Sequence, residues 1–236
     1  MKKIVCMLLC VLLLGNASAL AAESFAASDA ADAQRKALAL MQITAFASEY
    51  GDNGKTDAGH ALCRWETPLR IYVDGRPNQA DRKALKEFVM QLALRVPMMP
   101  NVTLVTQRED ANVTIWYGPL DQMAEHVTNY PEGNWGAFRY WYTYCKITRA
   151  EIGIATDVTT QKARNHLMME ELVGILGLTN DHEVYADSIV YQPWTTTQEL
   201  SEVDWLMLNM LYHPDAKPGM SWEQFQLITH RRISNR

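Results

Sequence analysis

The first half of the chain contains stretches in which apolar residues recur at β-type or at helical spacing. Alternating side chains from Leu69 to Val73 predict a strand, which the Asp74-Gly75 turn ends. Apolar residues at helical spacing between Gln79 and Val96 predict a helix, and Pro97 stops it. Two more β-type runs follow, Val102 to Thr106 and Ala111 to Trp116. This order of elements predicts a mixed sheet with a crossover helix.

The second half contains a row of aromatic residues and then a long helical segment. The aromatic residues fall on one face of a predicted strand, and side chains in such a row usually pack in a core. They are Phe138, Tyr140, Tyr142 and Tyr144. Glu151 to Thr156 is predicted as a further short strand. A helix is predicted to begin after a cap at Thr159 or Thr160, to run to about Leu176 and to end at Gly177.

The first residues have the features of a secretory signal peptide, residues 1–21, which predicts a periplasmic or secreted protein. The apolar run from Ile4 to Leu14 is too short to span a bilayer, and no later run approaches that length. An alanine-rich segment from Ala26 to Tyr50 predicts a loosely attached leading helix, and Gly51 to Lys55 a linker. We therefore expect residues 22–55 to lie apart from a main domain at residues 56–236.

Removal of the signal peptide would leave an acidic protein. It takes away Lys2 and Lys3, so 20 basic residues remain against 27 acidic ones and the net charge changes from −5 to −7. This balance argues against nucleic acid and against an anionic membrane surface as partners.

Two of the four cysteines, Cys63 and Cys145, remain after the signal peptide. In an oxidising compartment a single pair favours a disulfide over two thiols. The bond would close a loop of about 80 residues, worth on the order of 4 kcal/mol in the chain-entropy model. Neither cysteine has the sequence context of a catalytic nucleophile.

The predicted helix carries a motif that resembles the zinc-binding motif of metzincin peptidases. That family has His-Glu-x-x-His-x-x-Gly-Leu-x-His-Asp, with three histidine ligands and a glutamate as general base. Aligned on Glu171, this chain keeps the base, the glycine turn with its leucine, and the final aspartate. The kept residues are Glu171, Gly177, Leu178 and Asp181. The three ligand positions hold Glu170, Gly174 and Asn180 instead of histidine.

Three more segments match the same clan in the same order. Asp187 to Tyr191 is similar to its Ser-Ile-Met-Tyr turn, with Val190 in place of methionine. Leu200 to Asp204, followed by Leu211-Tyr212, is similar to the last helix of matrix metalloproteinases, and Asp110 to Ile115 resembles a strand of the clan. The double glutamate with Leu-Gly-Leu-x-Asn-Asp also resembles the bacterial family catalogued as domain of unknown function 2927.

The resemblance implies an α+β fold of the zincin type. We expect a mixed, mostly parallel sheet, a central helix of the active-site type and a C-terminal helix. Glu151 to Thr156 would be the sheet edge beside a cleft, and Asn165 to Leu178 the helix that lines it. Expected cleft and turn residues are Glu170, Gly177, Asn180, Asp181, Ser188 and Tyr191, with Glu171 as the candidate general base.

Zinc in a catalytic site needs three protein ligands, and Gly174 supplies none. An alternative set is His166, Glu170 and His182, with Glu171 as base, although His166 lies one helical turn before the usual ligand. The more ordinary roles are a helix contact between His166 and Glu170, and hydrogen bonds from loop amides of residues 180–189 to Glu170 or Glu171. We therefore expect no bound metal, with zinc as the alternative cofactor.

The leading functional hypothesis is a secreted or periplasmic protein that keeps the peptidase scaffold without its zinc site. It would bind a peptide or a protein, because an extended peptide adds to a sheet edge through backbone groups alone. The alternative is a metallopeptidase with non-standard ligands that uses Glu171 as general base. A third possibility is a structural component of the cell envelope.

Overall fold

The computed structural model of the protein describes residues 29–47 and 60–233. The predicted signal peptide, residues 1–21, and the predicted linker, residues 51–55, lie outside the described residues. In the part of the chain that is described, no helix combines the length and the apolar character needed to cross a bilayer.

The described chain forms helices around one sheet. The helices are α1 (residues 29–44), α2 (Gln79–Arg95), α3 (Met123–His126), α4 (Gln161–Leu176), α5 (Glu202–Leu211) and α6 (Trp222–Ile233). The strands are β1 (Arg64–Trp65), β2 (Leu69–Gly75), β3 (Val102–Val105), β4 (Val113–Gly118), β5 (Gly136–Thr143) and β6 (Lys146–Ala155). The predicted order of strand, helix, strand and strand in the first half is confirmed.

The sheet is mixed and mostly parallel, as expected. Its order is β3-β2-β4-β6-β5, and the short β1 lies beside the first residues of β6 on the same side as β4. Every pairing is parallel except that of β5 with β6. The strands β3 and β5 therefore form the two outer edges of the sheet.

The prediction that Glu151 to Thr156 forms the sheet edge is wrong. Glu151 to Ala155 belong to β6, which pairs with β4 on one side and with β5 on the other. The reason is a hairpin turn in which Tyr144 and Cys145 both have positive φ, of 49° and 57°. This turn folds β5 back along β6, so the aromatic strand takes the outer position.

The aromatic row on β5 is only partly packed in the core. Phe138 and Tyr140 lie against the core, and their ring centroids are 6.1 Å apart. Tyr142 is 52 % exposed and Tyr144, at the hairpin turn, is 90 % exposed. The expectation of core packing therefore holds for the first two residues alone.

Helix α4 lies in the middle of the molecule. Residues on several of its faces are buried, including Leu167, Met169 and Val173. A buried ion pair fixes its beginning: Arg164 Nε lies 3.0 Å from Asp81 Oδ1 of α2. Asp81 also closes the capping box of α2 with Asn78. One carboxylate thus joins the N-terminal ends of two helices.

The leading helix α1 is part of the core, so the expectation of loose attachment is wrong. Ala37, Leu40 and Met41 on it are at most 2 % exposed. Its C-terminal carbonyl at Thr44 accepts hydrogen bonds from the main-chain amides of Thr179 and Asn180, at 2.7 and 3.1 Å. The alanine-rich composition predicted a helix correctly, but it carries no information about these tertiary contacts.

Cys63 and Cys145 lie side by side at the start of two paired strands. The residues that follow them, Arg64 and Lys146, are partners in the parallel pairing of β1 with β6. The structure shows both cysteines as free thiols. Burial, and then a hydrogen bond from the Cys63 thiol to Cys145, raise the pKa of the Cys63 thiol. The predicted disulfide is not formed in this structure, but the pair is placed close together.

We expect mild oxidation of the folded protein to join these two cysteines. Closure of a loop of about 80 residues should raise the melting temperature by roughly 5–15 °C over the reduced protein. Thiol titration in denaturant and intact mass would measure the bond, and a C63S/C145S variant should not respond to reductant. Two titratable thiols after oxidation would contradict the prediction.

Candidate functional site

Helix α4 and the edge strand β5 form the candidate site. The cap at Thr160 is confirmed, since its side chain accepts a hydrogen bond from the amide of Ala163. Gly177 ends the helix at φ 121°, and a Cβ there would overlap the carbonyl oxygen of Cys63. The glycine turn that the sequence predicted is thus required both by backbone conformation and by close packing.

Glu171 lies directly beneath the edge strand. It is 8 % exposed, and its Oε1 atom occupies the space that a Cβ on Gly136 would take. The absence of a side chain at Gly136 therefore lets the carboxylate approach the strand backbone. This places the candidate general base at the β5 edge, although largely shielded from solvent.

The buried His166 and the partly buried Glu170 lie one helical turn apart. His166 Nδ1 lies 3.0 Å from the carbonyl oxygen of Thr197, and only a protonated Nδ1 can donate to that acceptor. In the neutral ring Nε2 is then the acceptor, and it lies 3.5 Å from Glu170 Oε2. The expected helix contact between these two residues is therefore present.

Both groups of this pair are shifted toward their neutral forms. Burial lowers the pKa of His166, and the hydrogen bond to the Thr197 carbonyl opposes this only in part. Burial, and then the negative charge of Asp181, raise the pKa of Glu170 to about 8. Both shifts favour the neutral forms of Glu170 and His166, whose Oε2 and Nε2 atoms lie 3.5 Å apart.

Two tryptophans cover this pair. Trp194 packs edge-on against His166, with ring centroids 5.7 Å apart, and Trp135 packs edge-on against Trp194 at 5.4 Å. Trp135 and Trp194 remain 41 % and 53 % exposed. Neither tryptophan was predicted as a site residue from the sequence, and Thr197 was not predicted either. A tryptophan within a polar loop, as in both segments, was the available signal.

Gly174 stands where the metzincin motif has its second histidine, and an aromatic ring packs against it. A Cβ on Gly174 would lie 2.5 Å from Cε1 and 2.9 Å from Cζ of Phe138. Phe138 comes from β5 and packs onto the backbone of α4 at this point. A longer side chain at position 174 would therefore collide with the edge strand.

Asn180 stands where the metzincin motif has its third histidine, and its side chain is directed toward α1. Asn180 is 5 % exposed, and its Nδ2 donates to the carbonyls of Ile43, at 3.1 Å, and of Ala47. These groups lie at the C-terminal end of α1. The side chain thus holds the leading helix in place, which is a structural role that the sequence resemblance did not indicate.

His182 belongs to the loop beyond the helix. Its Nδ1 accepts a hydrogen bond from the amide of Val184 at 3.2 Å, and Nε2 is buried without a hydrogen-bond partner among the described residues. Its backbone bridges to the half-buried Tyr191. Residues 29–47 and 60–233 contain no group of three His, Cys, Asp or Glu placed to hold a metal ion. The alternative ligands His166, Glu170 and His182 are not brought together.

The turn at Ser188 and Ile189 is fixed by Asp204 of α5. Asp204 is fully buried and accepts from Ser188 Oγ at 2.6 Å and from the Ile189 amide at 3.0 Å. It also accepts from the amide and the hydroxyl of Ser201, both at 2.8 Å. The Ile189 amide, one of the loop amides expected at Glu170 or Glu171, thus donates to Asp204. Two of the matched segments meet at this one carboxylate.

The chain matches one described family. Residues 39–231 match the model of the family described as "Protein of unknown function (DUF2927)". The match starts within α1 and reaches α6, so it covers the whole sheet and the candidate site. No curated protein matches the chain.

We expect Glu170→Gln to change the pH dependence of stability. A carboxyl whose pKa is raised on folding contributes most to the stability of the folded state below its ordinary pKa of 4.5. This contribution is lost as the pH rises through about 8, the pKa of Glu170 in the folded protein. The variant should therefore gain about 1–3 kcal/mol over the unsubstituted protein at pH 8.5 and almost nothing at pH 5. Urea unfolding at both values measures this.

The matched control is Glu183→Gln, which removes the same charge from an exposed residue of the adjoining loop. Its stability difference should stay the same at both pH values. An E170Q difference that does not depend on pH would show that Glu170 is ionised in the folded protein.

We expect Gly174→Ala to destabilise the protein although alanine is the better helix former. Overlap with the Phe138 ring should cost about 1–3 kcal/mol. Phe138→Leu in the same chain should recover part of the loss, which a double-mutant cycle measures by urea unfolding. Additive effects would contradict the contact.

Proposed function

The chain belongs to the DUF2927 family, and from this premise we propose that it is an exported protein of zincin-like fold that binds an extended peptide segment without a catalytic metal. The proposal rests chiefly on the free edge of β5. This strand is antiparallel, lies at the border of the sheet and passes directly over α4.

The backbone of β5 has groups directed away from the sheet. The Trp135 carbonyl accepts a hydrogen bond from the Ala155 amide, so residue 135 faces β6. Backbone groups alternate in direction along an antiparallel strand, and those of Gly136, Phe138 and Tyr140 therefore point to the free side. An added peptide strand would find donors and acceptors there, which is the basis of β-augmentation.

The side chains around this edge suit an apolar or aromatic peptide. Tyr140 and Tyr142 form a continuous row with ring centroids 5.9 Å apart, and Trp135 and Trp194 lie at the beginning of the strand. Aromatic side chains contribute large contact areas at low entropic cost. The edge thus combines backbone pairing with surfaces on which alternate peptide side chains can pack.

The residues at the zinc positions support binding over metal-dependent hydrolysis. Gly174 has Phe138 packed against it, and Asn180 holds α1. Zinc needs three donors that converge on one point, and these positions do not supply them. The zincin-like assignment is supported by the contact of the Ser188 turn with Asp204, which joins two segments that resemble that clan.

A peptide selected from a random phage-displayed library against the mature protein provides the probe. We expect micromolar affinity, at least tenfold weaker for Tyr140→Pro than for Tyr140→Ala. Both variants lose the aromatic ring, but only proline removes the outward backbone amide. Fluorescence anisotropy measures binding, and melting temperatures verify that both variants fold.

Three results would overturn the proposal. One is equal affinity of the two Tyr140 variants. Another is stoichiometric zinc in protein purified without a histidine tag that disappears in Glu170→Ala or His166→Ala. The third is cleavage of a mixed peptide library that depends on Glu171, which would favour a metallopeptidase with altered ligands.

A further inference from the structure

An open groove lies at the edge of the sheet opposite β5. A cavity of about 490 Å³ lies between α2 and the edge strand β3. Leu85, Val73 and Val105 supply apolar surface, while Arg82 and Lys86 of α2 line the same cavity. This volume falls in the range of small-ligand sites. None of these residues takes part in the site at α4 and β5.

The β3 strand offers unpaired backbone groups along this groove. It pairs with β2 alone, and the Leu69 amide donates to the Asn101 carbonyl. In a parallel ladder this contact directs residues 101, 103 and 105 toward β2, so Val102 and Leu104 direct their amides and carbonyls outward. Leu104 is also 41 % exposed. A further strand can therefore pair with β3.

The charges at the groove favour an acidic partner. Arg82 and Lys86 are exposed and lie one helical turn apart on α2, and neither forms an ion pair among the residues that the structure describes. The neighbouring Lys83 is different, because it pairs with Glu87 at 3.7 Å. Two cations beside an apolar groove, in a chain of net charge −5, form a local positive surface.

We propose that the α2–β3 groove binds an extended acidic peptide segment, which adds to β3 as a strand and places carboxylates against Arg82 and Lys86. Backbone pairing with Val102 and Leu104 would orient the peptide, and the apolar surface of the cavity would hold one of its side chains. The two cations would select for acidic residues. This site is independent of the peptide edge at β5 and prefers a different chemical class of peptide.

The test uses a fluorescein-labelled peptide of alternating valine and glutamate, with a lysine counterpart of the same length. We expect the acidic peptide to bind the mature protein in the micromolar range and more weakly as salt is raised. The lysine peptide should bind at least tenfold more weakly. Fluorescence anisotropy measures both.

Three variants locate the site. Arg82→Glu with Lys86→Glu should weaken binding at least tenfold, whereas Lys83→Glu, a matched reversal on the same helix, should leave it unchanged. Leu104→Pro should also weaken it tenfold, because proline removes an outward amide without touching the ladder to β2.

Several results would overturn the proposal. They are equal binding of the acidic and lysine peptides, unchanged affinity in the Arg82 and Lys86 double variant, or no binding at millimolar peptide. Sedimentation of the protein without peptide tests the other occupant. A dimer that Leu104→Pro dissociates would assign the edge to a second copy of the chain.

Discussion

The position of the Ser188–Ile189 turn and of the start of α5 depends on hydrogen bonds to the buried carboxylate of Asp204. It receives four hydrogen bonds, two from the turn at Ser188 and Ile189 and two from Ser201 at the start of α5. Hydrogen bonds to a charged group contribute about 1.5–3 kcal/mol each, and a buried carboxylate without them is costly. The turn beneath α4 and the start of α5 are therefore placed by the same side chain.

The candidate site depends on the close approach of α4 and β5. Two glycines permit it from opposite sides: Gly136 on the strand admits the Glu171 carboxylate, and Gly174 on the helix admits the Phe138 ring. The helix and the strand thus pack closely through these two contacts. Of the alternative metal ligands, His166 contacts the carbonyl of Thr197, whereas Nε2 of His182 is buried without a hydrogen-bond partner among the described residues.

The sequence predicted elements whose signals are local. The caps at Thr160 and Gly177, the helix α2 and the early strands follow from residues close together in the chain. The order of β5 and β6 could not be predicted, because Tyr144 and Cys145 adopt positive φ without the glycine or asparagine that marks such a turn. The contact between Phe138 and Gly174 and the role of Asn180 depend on segments distant in sequence. The motif aligned on Glu171 predicted the helix correctly, but Gly174 and Asn180 near it contact Phe138 and the end of α1.

The attachment of α1 has a consequence for the order in which the chain folds. Asn180 reaches back across 137 residues to the Ile43 carbonyl, and Thr44 Oγ1 lies 3.8 Å from Met207 Sδ, 163 residues away. A helix that is synthesised first therefore cannot complete its packing until most of the chain has been made. Contacts of such long range slow folding, because loop closure must precede the gain in free energy. Helix α1 is thus made early but completes its packing late.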